Sequence, residues 1–196
     1  MNNKYIYLIF SKTGTWLSRL ISAFSDIRYP HASLSFDCDF TEMYSFGRIN
    51  PNNPFSGGFV VENLHGGVFS RSASCECMIL RIKVTEKQYL ALQKYVEEFV
   101  QEKGKYKYNF LGLYAILLNK TLKRKNYYFC SQFISEALMK SNVLESDKTP
   151  ELTRTDDLYT IKNREILFEG FVNERFGFPA FTRPHIAGKV NALIPS

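Results

Sequence analysis

The sequence of 196 residues has few of the features that assign a chain quickly to a class. Its four cysteines, at positions 38, 75, 77 and 130, are too few and too irregularly spaced for a disulfide framework in a chain of this length. Low-complexity tracts and internal repeats are absent. The apolar run at residues 5–10 is too short for a signal-peptide core or a membrane span. We therefore expect a cytoplasmic protein with reduced thiols.

Residues that commonly bind metals are also sparse, since the chain has three histidines. Cys75 and Cys77 are close in sequence, but the alternation over residues 75–84 predicts a strand that carries both thiols on one face. No matching pair of cysteine or histidine residues occurs elsewhere in the sequence. We therefore expect neither a metal site nor a cofactor.

What the sequence does contain is a large apolar and aromatic fraction, 45% and 15%, which is typical of one folded domain. The formal net charge is +6, and the basic residues are dispersed except at residues 120–125. We interpret this cluster as a solvated loop between two helices and expect no nucleic-acid partner. The alternative is contact with an anionic surface or an anionic substrate near the mouth of a site.

The first half of the chain predicts a strand, a helix and a hairpin. Residues 4–10 form an apolar run typical of a buried strand, and residues 14–24 carry apolar side chains at helical spacing. Residues 31–36 alternate, and residues 42–46 follow as the second arm of a hairpin. Residues 47–74 are rich in Gly, Asn, Pro and Ser, which predicts a long surface loop with at most short strands.

The second half predicts one more long strand and several helices. Residues 78–84 read as a strand, and Thr85 begins a capping-box pattern for a helix that runs until Gly104. Residues 109–118 are apolar enough for a buried helix. After a helix that starts at Cys130, we expect a short helix at residues 156–158 and a last strand at residues 166–170.

Cys130 is the candidate nucleophile. It follows the aromatic run Tyr127-Tyr128-Phe129, and apolar residues recur at helical spacing behind it, at positions 133, 134, 137 and 138. The thiol is therefore expected on the first turn of a helix, where the helix dipole and free N–H groups favour a thiolate. The alternative is that Cys130 is one more small buried apolar residue.

His31 is the candidate general base, because it begins a strand on a separate element. His65, which precedes two glycines in the long loop, is the rival candidate, but a loop holds a base less firmly than a strand does. A hairpin turn near Cys38 places Ser45 or the following residue opposite His31, so Ser45 is the candidate third member. The acidic residue Glu42 falls several positions along the ladder, too far to orient the imidazole.

Six segments follow one another in a characteristic order: the helix at residues 14–24, Tyr29-Pro30-His31-Ala32-Ser33-Leu34, Tyr108-Asn109-Phe110-Leu111-Gly112, Tyr128-Phe129-Cys130-Ser131-Gln132-Phe133, Thr155-Asp156-Asp157-Leu158 and Phe168-Glu169-Gly170. In this order they resemble the circularly permuted NlpC-type papain-like cysteine hydrolases, with YiiX-like members the closest in pattern. The resemblance spans residues 4–170. It implies an α+β, papain-like fold with permuted topology, in which an antiparallel sheet packs against helices. The domain would cover residues 1–170. Residues 171–196, which are aromatic and interrupted by Gly and Pro, would be a C-terminal extension packed on the domain or extending from it as an adhesive surface.

The resemblance implies acyl transfer at an amide or ester through a Cys130 thioester, with His31 as the base. The third position of the family, usually His, Glu, Asn or Gln, falls near Ser45. Backbone N–H groups at the start of the cysteine helix would bind the oxyanion. We expect a small acyl, peptide or lipid-like substrate, and the aromatic loop and tail favour an apolar acyl group.

Two other functions remain open on the sequence. One is a catalytically weak or inactive papain-like module that binds a lipid-like or peptide ligand, which the weak orienting group Ser45 would support. The other is a surface-binding protein that uses its positive charge and aromatic tail for peripheral membrane contact.

Overall fold

The computed structural model describes residues 4–13, 26–50, 53, 56–67, 69 and 75–172. Within these residues, three α-helices accompany one eight-stranded, mostly antiparallel sheet, so the fold is mixed α+β as predicted. None of the described helices is long and apolar enough to cross a membrane. The predicted helix at residues 14–24 lies outside the described residues.

The strands are β1 Lys4–Lys12, β2 His31–Ser35, β3 Met43–Arg48, β4 Gly57–Glu62, β5 Glu76–Val84, β6 Lys107–Tyr108, β7 Tyr127–Tyr128 and β8 Arg164–Phe171. Their order in the sheet is β7-β6-β4-β3-β2-β1-β5-β8. Neighbouring strands pair antiparallel except for β6 and β7, which are parallel.

The helices are α1 Glu86–Gln101, α2 Phe110–Leu117 and α3 Cys130–Lys140. α1 begins with the predicted capping box, because the Thr85 hydroxyl accepts from the backbone N–H of Gln88 and the Gln88 side chain accepts from the backbone N–H of Thr85. The Asn109 side chain caps α2 by accepting from the N–H of Gly112. Short 3₁₀ turns follow at Lys103–Lys105, Pro150–Leu152 and Asp156–Thr160.

Apolar clusters lie on both faces of the sheet. The larger one joins alternate sheet residues, such as Leu8, Leu34 and Phe46, to the inner faces of α1 and α3 through Phe99 and Phe133. The smaller one is built from the intervening sheet residues, including Tyr7, Ile9, Met43, Cys77 and Ile79. Because β1 is covered on both faces, its sequence is a continuous apolar run rather than an alternation.

The predicted strands at residues 4–10, 31–36, 42–46 and 78–84 correspond to β1, β2, β3 and β5. The alternation in β2 is confirmed, since Ala32 and Leu34 belong to the larger cluster. The expectation that residues 109–118 are buried was wrong for one face of α2, where Leu111, Tyr114 and Leu118 are exposed. Cys75 and Cys77 share the smaller cluster, as the alternation predicted.

The predicted long loop contains a full strand of the sheet. β4 lies between β3 and β6, and its two glycines account for the misinterpretation. A Cβ at Gly57 would lie 2.6 Å from Cβ of Tyr108, and one at Gly58 would lie 2.6 Å from the carbonyl oxygen of Tyr106. The glycines that resemble a loop signal therefore permit a close approach between β4 and the chain around β6.

The last strand ends at Phe171, one residue beyond the predicted domain boundary. Val172 is fully buried in the smaller cluster, and its N–H donates to the carbonyl oxygen of Cys75 over 2.8 Å. The first two residues of the predicted C-terminal extension therefore belong to the body of the domain. Residues 173–196, the rest of that extension, lie outside the described residues.

Candidate active site

Cys130 is the first residue of α3, as predicted from the sequence. Phe129 precedes it in an extended conformation, and Phe133 and Ile134 anchor the first turn in the larger apolar cluster. The hydroxyl of Ser131 donates to the carbonyl oxygen of Thr153 over 2.7 Å, which ties the same turn to the chain after α3. The position of the thiol is thus fixed by packing and by a buried hydrogen bond.

The Cys130 side chain lies next to the start of β2. The Cys130 thiol donates to the carbonyl oxygen of Pro30 over 3.9 Å. The imidazole of the next residue, His31, is close enough for the Cys130 side chain to raise its pKa. Proline at position 30 keeps Tyr29 out of the helical conformation, so the chain enters β2 extended and delivers His31 at its first position. The structure therefore brings together the two residues that the sequence predicted as nucleophile and base.

Glu62 contacts the other side of the imidazole. Nε2 of His31 lies 2.9 Å from Oε2 and 3.1 Å from Oε1 of Glu62. The hydroxyl of Ser33 donates to Oε2 of Glu62 over 2.6 Å and lies 3.3 Å from the same Nε2. Because the side chains of His31 and Glu62 are only 17% and 14% exposed, solvent weakens this contact little.

The protonation of the pair follows from these contacts. Burial alone would lower the pKa of His31, but the charge of Glu62, the neighbouring Cys130 side chain and the hydrogen bond with Glu62 raise this pKa well above 6.5. Burial alone would raise the pKa of Glu62, but the charge of His31 and the hydrogen bonds from His31 and Ser33 lower it below 4.5. An imidazolium facing a carboxylate is the favoured state at neutral pH.

In an imidazolium both ring nitrogens are donors. Glu62 and Ser33 are the partners of Nε2 of His31, which leaves the N–H at Nδ1 as the second donor of the ring. Tyr108 is a further neighbour of Cys130, and burial raises the pKa of Tyr108 well above 10, so its phenol stays protonated.

Ser45, the predicted third member, does not contact the imidazole. Its hydroxyl donates to the carbonyl oxygen of Ala32 over 2.6 Å. The predicted hairpin register was wrong, because Leu34 pairs with Tyr44, and continuing this register aligns His31 with Gly47. Since Gly47 has no side chain, the carboxylate of Glu62 can reach the imidazole from β4; a Cβ at position 47 would already lie 3.6 Å from Oε1 of Glu62.

Glu62 is not among the site residues predicted from the sequence, because it lies in the segment predicted to be a loop. The available signal was the run Phe59-Val60-Val61, whose β-branched residues are typical of a strand. Glu42, the acid considered from the sequence, lies in the turn before β3, and its Oε2 accepts from the hydroxyl of Tyr44 over 2.9 Å. The carboxylate therefore comes from the strand beyond the predicted hairpin.

His65, the rival base, lies away from the thiol. Its Nε2 is 2.6 Å from the carbonyl oxygen of Asp39, in the turn that follows β2. His31 begins the same strand, and Ser35, its last residue, lies roughly 13 Å along it at ~3.3 Å per residue. Of the two histidines that the structure describes, His31 is therefore the one beside Cys130.

The space next to the thiol is small. Cys130 is 3% exposed, and the adjoining cavity has a volume of about 30 Å³. Most of the wall is apolar, with polar atoms from the segment after α3; the lining residues are Ile27, Pro30, Leu113, Ile116, Phe129, Ser131, Arg154 and Thr155. A substrate larger than a few atoms needs these side chains to move.

Within the described part of the chain, no group of three or more His, Cys, Asp or Glu residues is placed to hold a metal ion. Comparison with protein-family models, curated proteins and solved structures found no match to this chain. The function is therefore inferred from the chemistry of the site: a thiol at a helix start, an imidazole and a carboxylate in series. This is the residue set of nucleophilic acyl transfer.

Proposed function

We propose that the protein is a cysteine hydrolase or acyltransferase of the circularly permuted NlpC-type papain-like kind. Cys130 is the nucleophile, His31 transfers the proton, and Glu62 rather than Ser45 orients the imidazole. The observation that carries the proposal is the placement of His31, which bonds Glu62 through Nε2 and lies near enough to Cys130 for that side chain to raise its pKa. Nucleophile, base and orienting acid in series are the general requirement for an activated thiol.

Before the reaction starts, the thiol proton of Cys130 has been transferred to His31, which leaves a thiolate and an imidazolium. The Cys130 thiolate attacks the carbonyl carbon of an amide or ester, and the negative oxygen of the tetrahedral intermediate is bound by backbone N–H groups of the first turn of α3, which have no acceptor within the helix. The imidazolium donates its proton to the leaving amine or alcohol. A thioester on Cys130 and a neutral His31 result.

The second half of the reaction resolves the thioester. Water, or an acceptor alcohol or amine, attacks the thioester carbon while the neutral His31 takes its proton. The intermediate collapses with the thiolate as leaving group, which restores the pair of thiolate and imidazolium. Glu62 stays ionised throughout, holds the imidazole in one orientation and stabilises its positive form.

The arrangement of elements supports the papain-like assignment. The histidine strand β2 precedes the cysteine helix α3 in the chain, which is the order of the permuted branch. α3 packs against β2 and β3 through the larger apolar cluster. We propose a cytoplasmic location, because the cytoplasm keeps a catalytic thiol reduced, and a small or flexible apolar acyl substrate, because the cavity wall is mostly apolar.

Thiol labelling tests the proposal. We expect a small alkylating agent such as iodoacetamide to modify Cys130 at about pH 6, below the ordinary thiol pKa of ~8.5. His31→Ala should abolish this labelling. Cys38 is exposed, but partial burial and the charge of Asp39 raise the pKa of its thiol, so it provides an internal reference for a thiol that reacts little at this pH. Mass spectrometry of the digested protein measures both sites in one sample.

A second readout follows the thioester itself. Wild-type protein mixed with a p-nitrophenyl acyl ester should release p-nitrophenol in a burst and carry the acyl group on Cys130 in a mass spectrum of the intact chain. The same experiment with Cys130→Ser and His31→Ala should give neither. Equal reactivity of Cys130 in the wild type and in His31→Ala would exclude the enzyme.

The near-complete burial of Cys130 favours one alternative function, a papain-like binding module without effective catalysis. In that case iodoacetamide would leave Cys130 unmodified in the folded protein even at an alkaline pH at which Cys38 reacts. A hydrophobic acyl ligand that raises the thermal midpoint in such an unreactive protein would support the binding module.

A further inference from the structure

One face of α2 is apolar and faces solvent. Leu111, Tyr114 and Leu118 are 58%, 65% and 54% exposed, and their spacing of three and four residues places them in one stripe. Leu122 follows in the next loop and is 37% exposed. Clusters of this kind on a protein surface mark interaction sites more often than single exposed apolar residues do.

The same part of the chain carries the excess positive charge of the protein. Between residues 103 and 125 there are seven basic residues and no acidic one: Lys103, Lys105, Lys107, Lys120, Lys123, Arg124 and Lys125. The whole chain has 25 basic and 19 acidic residues, which leaves 18 against 19 outside this segment. The net charge of +6 therefore comes from this segment alone.

Some of these cations have partners, and others extend into solvent. Lys105 pairs with Glu102 over 2.7 Å, and Lys123 lies 3.7 Å from a carboxylate oxygen of Glu151. Lys120 and Lys125 are exposed on the loop that follows α2. Exposed cations therefore lie in sequence on both sides of Leu122, directly after the apolar stripe.

We propose that this surface docks onto an anionic lipid bilayer. We define the α2 patch as the apolar residues Leu111, Tyr114, Leu118 and Leu122 with the basic residues Lys120, Lys123 and Lys125. The apolar side chains enter the interface between headgroups and acyl chains, and the cations bind lipid phosphates and carboxylates. Nucleic acid fits less well, because three exposed leucines have no role on a phosphate backbone and only Tyr114 offers a ring for base stacking.

Docking has a consequence for the candidate active site. Leu113 and Ile116 lie on the opposite side of α2 from the apolar stripe and line the cavity at Cys130. Insertion of the stripe therefore places the cavity about one helix diameter, ~10 Å, from the lipid interface. This geometry favours a lipid acyl ester or amide as the substrate. The substrate assignment rests on the proposed function, whereas the docking of the α2 patch does not.

Vesicle flotation with the full chain tests the docking. We expect Cys130→Ala protein to float with phosphatidylcholine vesicles that contain phosphatidylserine as about a third of the lipid, and to float far less with pure phosphatidylcholine. Binding should weaken steeply with added salt. Because the variant lacks the nucleophile, the result is independent of catalysis.

Two double variants and matched controls locate the surface. Lys120→Glu with Lys125→Glu should lower the partition coefficient by at least about twentyfold, since each basic residue contributes about fivefold. Leu111→Ser with Tyr114→Ser should lower it with little change in net charge. The exposed α1 residues Lys87, Leu90 and Lys94 supply the controls: K87E with K94E makes the same charge change, and L90S removes an exposed leucine.

Several outcomes would overturn the proposal. Absence of flotation with the anionic vesicles would do so, and so would equal losses in the α2 and α1 variants. Binding of duplex DNA by the wild type with no binding of vesicles would assign the charge to nucleic acid instead. Circular dichroism of every variant separates loss of the surface from loss of the fold.

Discussion

Oε2 of Glu62 lies 2.9 Å from Nε2 of His31, although the two residues stand on strands separated by β3. The carboxylate crosses Gly47 to reach the imidazole, and the Ser33 hydroxyl holds it there with a bond of 2.6 Å. This contact raises the pKa of the histidine that faces Cys130. The proposed chemistry and the local stability of the sheet therefore depend on the same pair.

Replacing Glu62 should lower the thiol reactivity of the site. In Glu62→Gln the imidazole loses its charged partner, so we expect acyl transfer and Cys130 labelling at about pH 6 to fall by on the order of a hundredfold, within the range for general acid–base groups. The initial rate of p-nitrophenol release measures the loss. Glu42→Gln is the matched control, because Glu42 bonds Tyr44 and should retain full activity.

A folded Glu62→Gln variant with unchanged kinetics and an unchanged pH profile would rule out the orienting role. NMR titration of the His31 ring offers an independent check. The pKa of His31 should drop in Glu62→Gln and stay raised in Glu42→Gln, because only the first variant removes the neighbouring charge.

The His31–Glu62 pair should also make the free energy of unfolding depend on pH. The raised pKa of His31 contributes stability that is fully present below about pH 6.5 and is lost as the pH rises through the folded-state value. The lowered pKa of Glu62 contributes stability that is present above about pH 4.5 and is lost as the pH falls through its folded-state value. The free-energy difference between wild type and Glu62→Gln, about 2 kcal/mol for a charged hydrogen bond, should therefore be largest between about pH 4.5 and 6.5.

Urea denaturation at a series of pH values measures this difference. We expect it to shrink when the pH rises above the window and when it falls below it. A difference that stays constant from acidic to alkaline pH would mean that the pair is not ionised in the folded protein.

Replacing Ser45 should lower stability alone, whereas replacing Ser33 should also lower activity. Ser45→Ala removes a fully buried donor to the carbonyl oxygen of Ala32, so we expect a loss of about 1–3 kcal/mol in the free energy of unfolding. The activity per folded molecule should be unchanged. Ser33→Ala removes the hydroxyl that holds Glu62 and should lower activity as well. A selective loss of activity in Ser45→Ala would restore Ser45 as the third member of the site.

Gly47 should tolerate a methyl group but not a longer side chain. A Cβ there would lie 3.4 Å from Cγ2 of Val60, 3.6 Å from Oε1 of Glu62 and 3.8 Å from Cε1 of His31, which are ordinary contacts. Gly47→Ala should therefore keep its activity, whereas Gly47→Leu should separate Glu62 from His31 and lower the pKa of the imidazole toward 6.5. Kinetics and NMR titration check both variants.

Two other glycines provide controls for the Gly47 variants. Gly66→Ala should leave stability and activity unchanged, because nothing lies within 4 Å of a Cβ at that position. Gly57→Ala should instead lower stability, since its Cβ would lie 2.6 Å from Tyr108. If Gly47→Leu kept wild-type activity and the raised pKa of His31, the carboxylate would not need the space above Gly47.

The sequence was most informative where a pattern is local. Apolar runs and alternation predicted β1, β2, β3 and β5, and the Thr85 capping box predicted the start of α1, because these signals depend on neighbours within a few residues. Glycine is an ambiguous signal at β4, since the same residue permits a turn and a close approach between strands. Apolar composition likewise predicted a buried α2, although one face of that helix is exposed.

By itself, the sequence determined that Cys130 begins a helix and that His31 begins a strand, because a helix start and an extended residue before proline are set by adjacent residues. Only the tertiary structure decided which side chains contact each other in the candidate site. The register of β2 with β3 aligns His31 with Gly47 instead of Ser45, and the pairing of β4 beyond β3 supplies Glu62. Contacts across three strands depend on register and on the space left by absent side chains, and neither is encoded in any short stretch of the chain.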